Sequence, residues 1–110
     1  MKLTKDRAAN ELRRMGVDQY TIDEFFRYLE LNQPVWDAFV SYTLDAIKKN
    51  RVVGAKAVME RVRWEVEIDK QTEFKVNNNY TAYFARLFSL FYPQHSAYFE
   101  TRETRGLTRV

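Results

Sequence analysis

From residue 80 to residue 92 the chain has a helical pattern in which Arg86 is the only formal charge. Tyr80, Phe84, Leu87 and Phe91 recur on one side, with Tyr83, Phe88 and Leu90 flanking them. A helix this apolar must be covered nearly all round, so the remaining chain has to wrap it. The opposite strip is small, reading Ala82, Ala85 and Ser89 with Arg86 beside it, and lets another backbone approach closely. Asn77, Asn78 and Asn79 run directly into this helix. Asparagine amides bond nearby backbone, so the triplet predicts a turn and a helix start: one member caps, another turns left-handed and the third is solvated.

A sequence of 110 residues is one domain by length. Eight Phe, seven Tyr and two Trp fit inside the core of such a domain, so aromatic content alone demands no interface. There is no cysteine, hence no disulfide framework and no thiolate metal site. No apolar run reaches the ~18 residues of a membrane span, and the first residues are charged. A soluble cytoplasmic protein with no membrane contact is the expectation.

Four further helical patterns precede the aromatic one. The first covers residues 4–15, with Thr4 as cap, a thin stripe of Leu3, Ala8, Leu12 and Met15, and Gly16 as left-handed stop. The second opens on Thr21-Ile-Asp-Glu24, whose hydroxyl and carboxylate can satisfy two free backbone donors reciprocally. Pro34 suits the first turn of the third, where Val35, Trp36, Phe39, Val40, Thr43, Leu44 and Ile47 repeat at helical spacing. The fourth spans residues 54–68 and carries two stripes. Ala55, Met59, Val62 and Val66 form one, and Ala57, Trp64 and Ile68 lie opposite. A tryptophan opposite the core face means either that this helix is sandwiched or that it meets a partner.

Glu73-Phe74-Lys75-Val76 alternates as a half-buried strand would, and residues 98–105 alternate weakly. The predicted fold class is therefore mainly α, a single small domain of about five helices. A short two-stranded ribbon from residues 73–76 and 98–102 would make it winged-helix-like. Residues 1–33 read as a helical extension, 34–102 as the core and 103–110 as a basic tail.

Enzyme signatures are scarce. His95 is the only histidine and lies in a helix-ending turn, and Gly16, Gly54 and Gly106 are isolated, so no glycine-rich phosphate loop exists. No catalytic residue, metal or cofactor is expected. Net charge is +3, and the surplus lies in residues 51–110. That bias suits phosphate or an acidic protein surface, although ordinary solvated charge also explains it. Amides at a helix start can bond phosphate or a base edge. Lys75, Asn77, Asn78, Asn79, Thr81, Arg86, Arg102 and Arg105 are accordingly the candidate nucleic-acid contacts. Arg61 and Trp64, with the Ala82, Ala85 and Ser89 strip, form the alternative, a protein interface.

Several runs share a resemblance. Gly54-Ala-Lys-Ala57, Arg61-Val-Arg-Trp64, Phe74-Lys-Val-Asn-Asn-Asn-Tyr80, Tyr83-Phe-Ala-Arg-Leu-Phe88, Pro93 and Phe99-Glu-Thr-Arg102 resemble a family of small uncharacterised phage and prophage proteins. The likeness covers about residues 34–102. It implies a setting, a mobile element acting in the host cytoplasm, and assigns no residue a role. Two functions fit: an accessory or regulatory protein binding nucleic acid through a helix-start and wing surface, or a module that occupies a host protein. Oligomeric state is left open by the sequence.

Overall fold

A computed structural model describes residues 2–99, with side chains from residue 5 onward. Five α-helices account for most of it: α1 (Lys2–Arg14), α2 (Gln19–Leu31), α3 (Gln33–Lys48), α4 (Ala55–Arg63) and α5 (Thr81–Phe91). Helix α4 runs on as a π-helix over Trp64–Asp69, and α5 is entered through a 3-10 turn at Asn78–Tyr80. A second 3-10 turn follows at Pro93–His95.

The aromatic helix is the centre of the molecule. Phe84, Leu87 and Phe88 are buried, and α1, α3 and α4 all pack on α5. Helix α2 reaches it through Phe25, whose ring lies 5.9 Å from Phe84 and 5.3 Å from Tyr83. Phe39 of α3 meets Phe84 edge-on at 5.3 Å, and Trp36 does so at 5.5 Å. Edge-to-face contact of this kind is the favoured arrangement of aromatic quadrupoles. Ala8, Leu12, Ile22 and Phe25 belong to the same core as Phe39, Met59 and Val62, so α1 and α2 pack into it directly.

Helix ends follow local chemistry, with three departures from expectation. Gly16, at φ +90°, closes α1: its N–H donates to the Arg13 carbonyl and that of Val17 to the Leu12 carbonyl. This is the Schellman stop glycine favours. Asn50 (φ 58°) closes α3 in the same way, through Asn50 to Ile47 and Arg51 to Ala46. The left-handed asparagine is thus Asn50, and none of the Asn77–Asn79 triplet has positive φ. Helix α1 already includes Lys2, so Thr4 lies within it. Helix α2 begins earlier than the Thr21 motif predicts, because the Asp18 carboxylate accepts the Thr21 N–H at 3.0 Å. Hydrogen bonding from the Thr21 side chain, and then from its backbone N–H, holds the Asp18 carboxyl below its ordinary value.

The expected ribbon is absent: among the described residues there is no strand. Phe74 and Val76 do point inward and Glu73 and Lys75 outward, which produced the alternation. The backbone finds side chains in place of a second strand. Lys75 N–H donates to Asn32 Oδ1 (2.9 Å), Val76 N–H to Glu67 Oε2 (2.7 Å), and the Tyr28 hydroxyl donates to the Lys75 carbonyl. Tyr98 and Phe99 are helical, and residues 100–102 lie outside the described residues. The winged-helix likeness falls with the ribbon, and mainly α stands.

Burial pushes the Tyr28 hydroxyl up to about 12 from an ordinary 10, reinforced by Tyr80 and Glu67. Since the folded chain favours the neutral phenol, this contribution to stability is complete below pH 10 and is lost as pH rises towards about 12. Tyr28→Phe should cost about 0.5–1.5 kcal/mol at neutral pH, one hydrogen bond, while flattening the alkaline fall in Tm. Thermal melts between about pH 8 and pH 11 check both, and an unchanged alkaline slope would contradict the assignment.

Candidate functional site

Two surfaces contain the candidate residues. The first lies where α4 and α5 begin. Asn77 is the cap: its Oδ1 accepts the Asn79 N–H at 2.9 Å, and the Thr81 hydroxyl donates to the Asn78 carbonyl at 2.8 Å. These bonds leave the Asn78 and Asn79 side chains exposed. They face Gly54 and Lys56 across a hollow of about 530 Å³, with Thr81 and Ala82 on its wall and Ala85 also lining it. Both helix starts open on this hollow; α4 has no side-chain cap, so its first N–H groups add positive potential there, whereas those at the α5 start are taken by Asn77 and Asn78.

The remaining nucleic-acid candidates are elsewhere. Arg86 pairs with Glu11 of α1 at 3.5 Å and does not line the hollow. Lys75 sits in the segment pinned to α2 by Tyr28 and Asn32. Arg102 and Arg105 lie outside the described residues. Asn78, Asn79 and Thr81 are therefore brought together, joined by Lys56, which the sequence reading missed. Only the periodicity of α4, beginning at Gly54, hinted that a second helix start was available.

The second surface is the outer face of α4 and its π continuation. Val58, Met59, Val62 and Val66 are buried, whereas Ala57, Arg61, Trp64 and Ile68 face solvent. Trp64 is 61% exposed and Ile68 47% exposed, so the fourth helix is not sandwiched. The core lies on one side of it only, because α3 and α5 both pack on its buried stripe. The Arg61 guanidinium lies 4.7 Å from the centre of the Tyr42 ring, a cation–π contact that fixes its position. Arg63 pairs with Glu60 at 3.3 Å and Lys70 with Glu65 at 3.0 Å. A π-helix beginning at Trp64 adds to this, because such turns are rare and recur at functional sites.

The small strip does not join Trp64 into one interface. Ala85 is 4% exposed and lines the α4–α5 hollow with Ala82, Ser89 is half-buried, and Trp64 is not part of that lining. His95 is half-buried in its turn, and among the described residues no three His, Asp or Glu gather as a metal-binding group. Among the same residues no helix is long and apolar enough to cross a membrane. No family model, curated protein or solved structure matches this chain.

Proposed function

We propose that the chain is a small, non-enzymatic, phage-encoded protein-interaction module that docks through the outer face of α4 and the π-helix. The observation that carries this reading is the exposure of Trp64 and Ile68 on one stripe, with Arg61 held about one turn before Trp64 by Tyr42. Tryptophan and arginine dominate the energetics of protein interfaces, and a pre-positioned arginine loses little freedom on binding. The nucleic-acid reading is second. Its support is the convergence of two helix starts with Lys56, Asn78 and Asn79, and it is weakened by the engagement of Arg86 with Glu11.

One experiment separates the two. Immobilised protein should retain a protein partner from host lysate with or without nuclease, and Trp64→Ala should release it. Loss on nuclease treatment, with Trp64→Ala still binding, would move the function to the hollow.

A further inference from the structure

We infer that the cavity between α3 and α4 binds a small phosphate monoester, of the class of a nucleoside 5′-monophosphate. The site goes beyond the docking role and uses neither Trp64 nor Ile68. The cavity measures about 400 Å³. That falls within the roughly 300–1,000 Å³ of small-ligand pockets. Three cations line it, Lys49, Arg51 and Arg61, against one carboxylate, Asp45. Asp45 is already engaged by Lys49 at 3.1 Å. Among the described residues Arg51 and Arg61 form no ion pair, so two guanidinium charges stand uncompensated at the cavity. A phosphate monoester carries close to two negative charges at neutral pH, whereas a carboxylate carries one. Charge therefore matches the phosphate, and guanidinium forks fit its oxygens in pairs.

Both arginines are anchored before any ligand arrives. The Arg61 guanidinium is held over the Tyr42 ring at 4.7 Å. The Arg51 carbonyl accepts the Tyr98 hydroxyl at 2.6 Å, and the Val53 N–H donates to the same oxygen at 2.9 Å. The backbone on either side of residue 52 is thus clamped, which reduces the ordering that binding requires. The C-terminal pole of α3 would repel an anion, but its carbonyls are covered. Those of Asp45, Ala46 and Ile47 accept the N–H groups of Lys49, Arg51 and Asn50.

The remaining lining is largely apolar. Ala46 and Val58 are buried and Val53 is half-buried, a surface suited to the organic part of an ester rather than to bare phosphate. The α4–α5 hollow is wider but is lined by a single cation, Lys56.

The test is an NMR titration of the full chain with adenosine 5′-monophosphate at about 50 mM salt. Saturable shifts should appear at Arg51, Val53, Ala57 and Arg61. The expected dissociation constant is roughly 0.1–1 mM, because an open site leaves its charges screened by solvent. Arg51→Glu should weaken binding roughly tenfold or more with Tm unchanged, since that side chain is exposed. Trp64→Ala should leave the affinity unaltered. Adenosine, which lacks the charge, and inorganic phosphate, which lacks the organic part, should each bind at least about tenfold more weakly. No saturation by about 10 mM would overturn the proposal. So would an affinity indifferent to Arg51→Glu, or adenosine or inorganic phosphate binding as well as the nucleotide. A phosphotyrosine peptide that binds where the nucleotide does not would overturn the small-ligand assignment. Failure here leaves the docking role standing, since capture through Trp64 is read separately.

Discussion

Replacing Phe84 by alanine is expected to destabilise the protein by about 3–5 kcal/mol, the range for truncating a buried phenylalanine. The ring is fully buried and touches aromatic side chains from two other helices: Phe25 of α2, and Trp36 and Phe39 of α3. Deleting it removes both its own transfer energy and one partner from each edge-to-face pair. The cavity would lie where several helices meet, so no single segment can collapse into it without disturbing the others. Small domains are stable by only about 5–15 kcal/mol, and the loss approaches the lower end of that range. Urea unfolding should show the midpoint falling sharply with the slope unchanged. A midpoint equal to that of the parent would mean that α5 is not the centre of the core.

Glu67→Ala should cost about 1–2 kcal/mol, below the full value of a charged hydrogen bond because the site is only partly screened from water. Glu67 Oε2 accepts the Val76 N–H at 2.7 Å across nine residues, tying the irregular segment after the π-helix back to it. Asn32 and Tyr28 tie the same segment to α2 at Lys75. Without the carboxylate, the part-buried Val76 amide has no acceptor, and its hydrogen exchange should accelerate more than that of the amides in α5. Glu67→Gln preserves an acceptor at nearly the same place and should recover most of the loss. Equal exchange at Val76 in parent and Glu67→Ala would show that this bond does not hold the segment.

These tethers also explain where the sequence was legible and where it was not. Helix α3 was readable from end to end, because Val35, Phe39 and Thr43 are buried at the spacing their types announce. Gly16 was readable as a stop, since only the left-handed region suits it there. Alternation at residues 73–76 reported half-burial correctly but not the identity of the backbone's partner. A carboxylate nine residues back can meet the same need as a second strand, and no local pattern distinguishes them. At α2 two good caps competed, and the earlier one, Asp18, lengthened the helix without disturbing the buried Ile22 and Phe25. Trp64 was legible as an anomaly, and exposure resolved it. The hollow was not legible, because nothing near the asparagines in sequence indicates that Gly54 and Lys56 lie opposite.

The central place of α5 has a consequence for how the chain is made. All four preceding helices touch it, yet it is the last of the five to be synthesised. At about 5–20 residues per second, roughly 4–15 s separate completion of α1 from completion of α5. Throughout that interval Phe25, Phe39 and Met59 have lost no water to their final neighbour. Tyr98 extends the dependence, since its hydroxyl donates to the Arg51 carbonyl and accepts the Val53 N–H, fastening the α3–α4 connection from 45 residues downstream. The apolar faces of the earlier helices therefore stay without their final neighbour until nearly all of the described fold has left the ribosome.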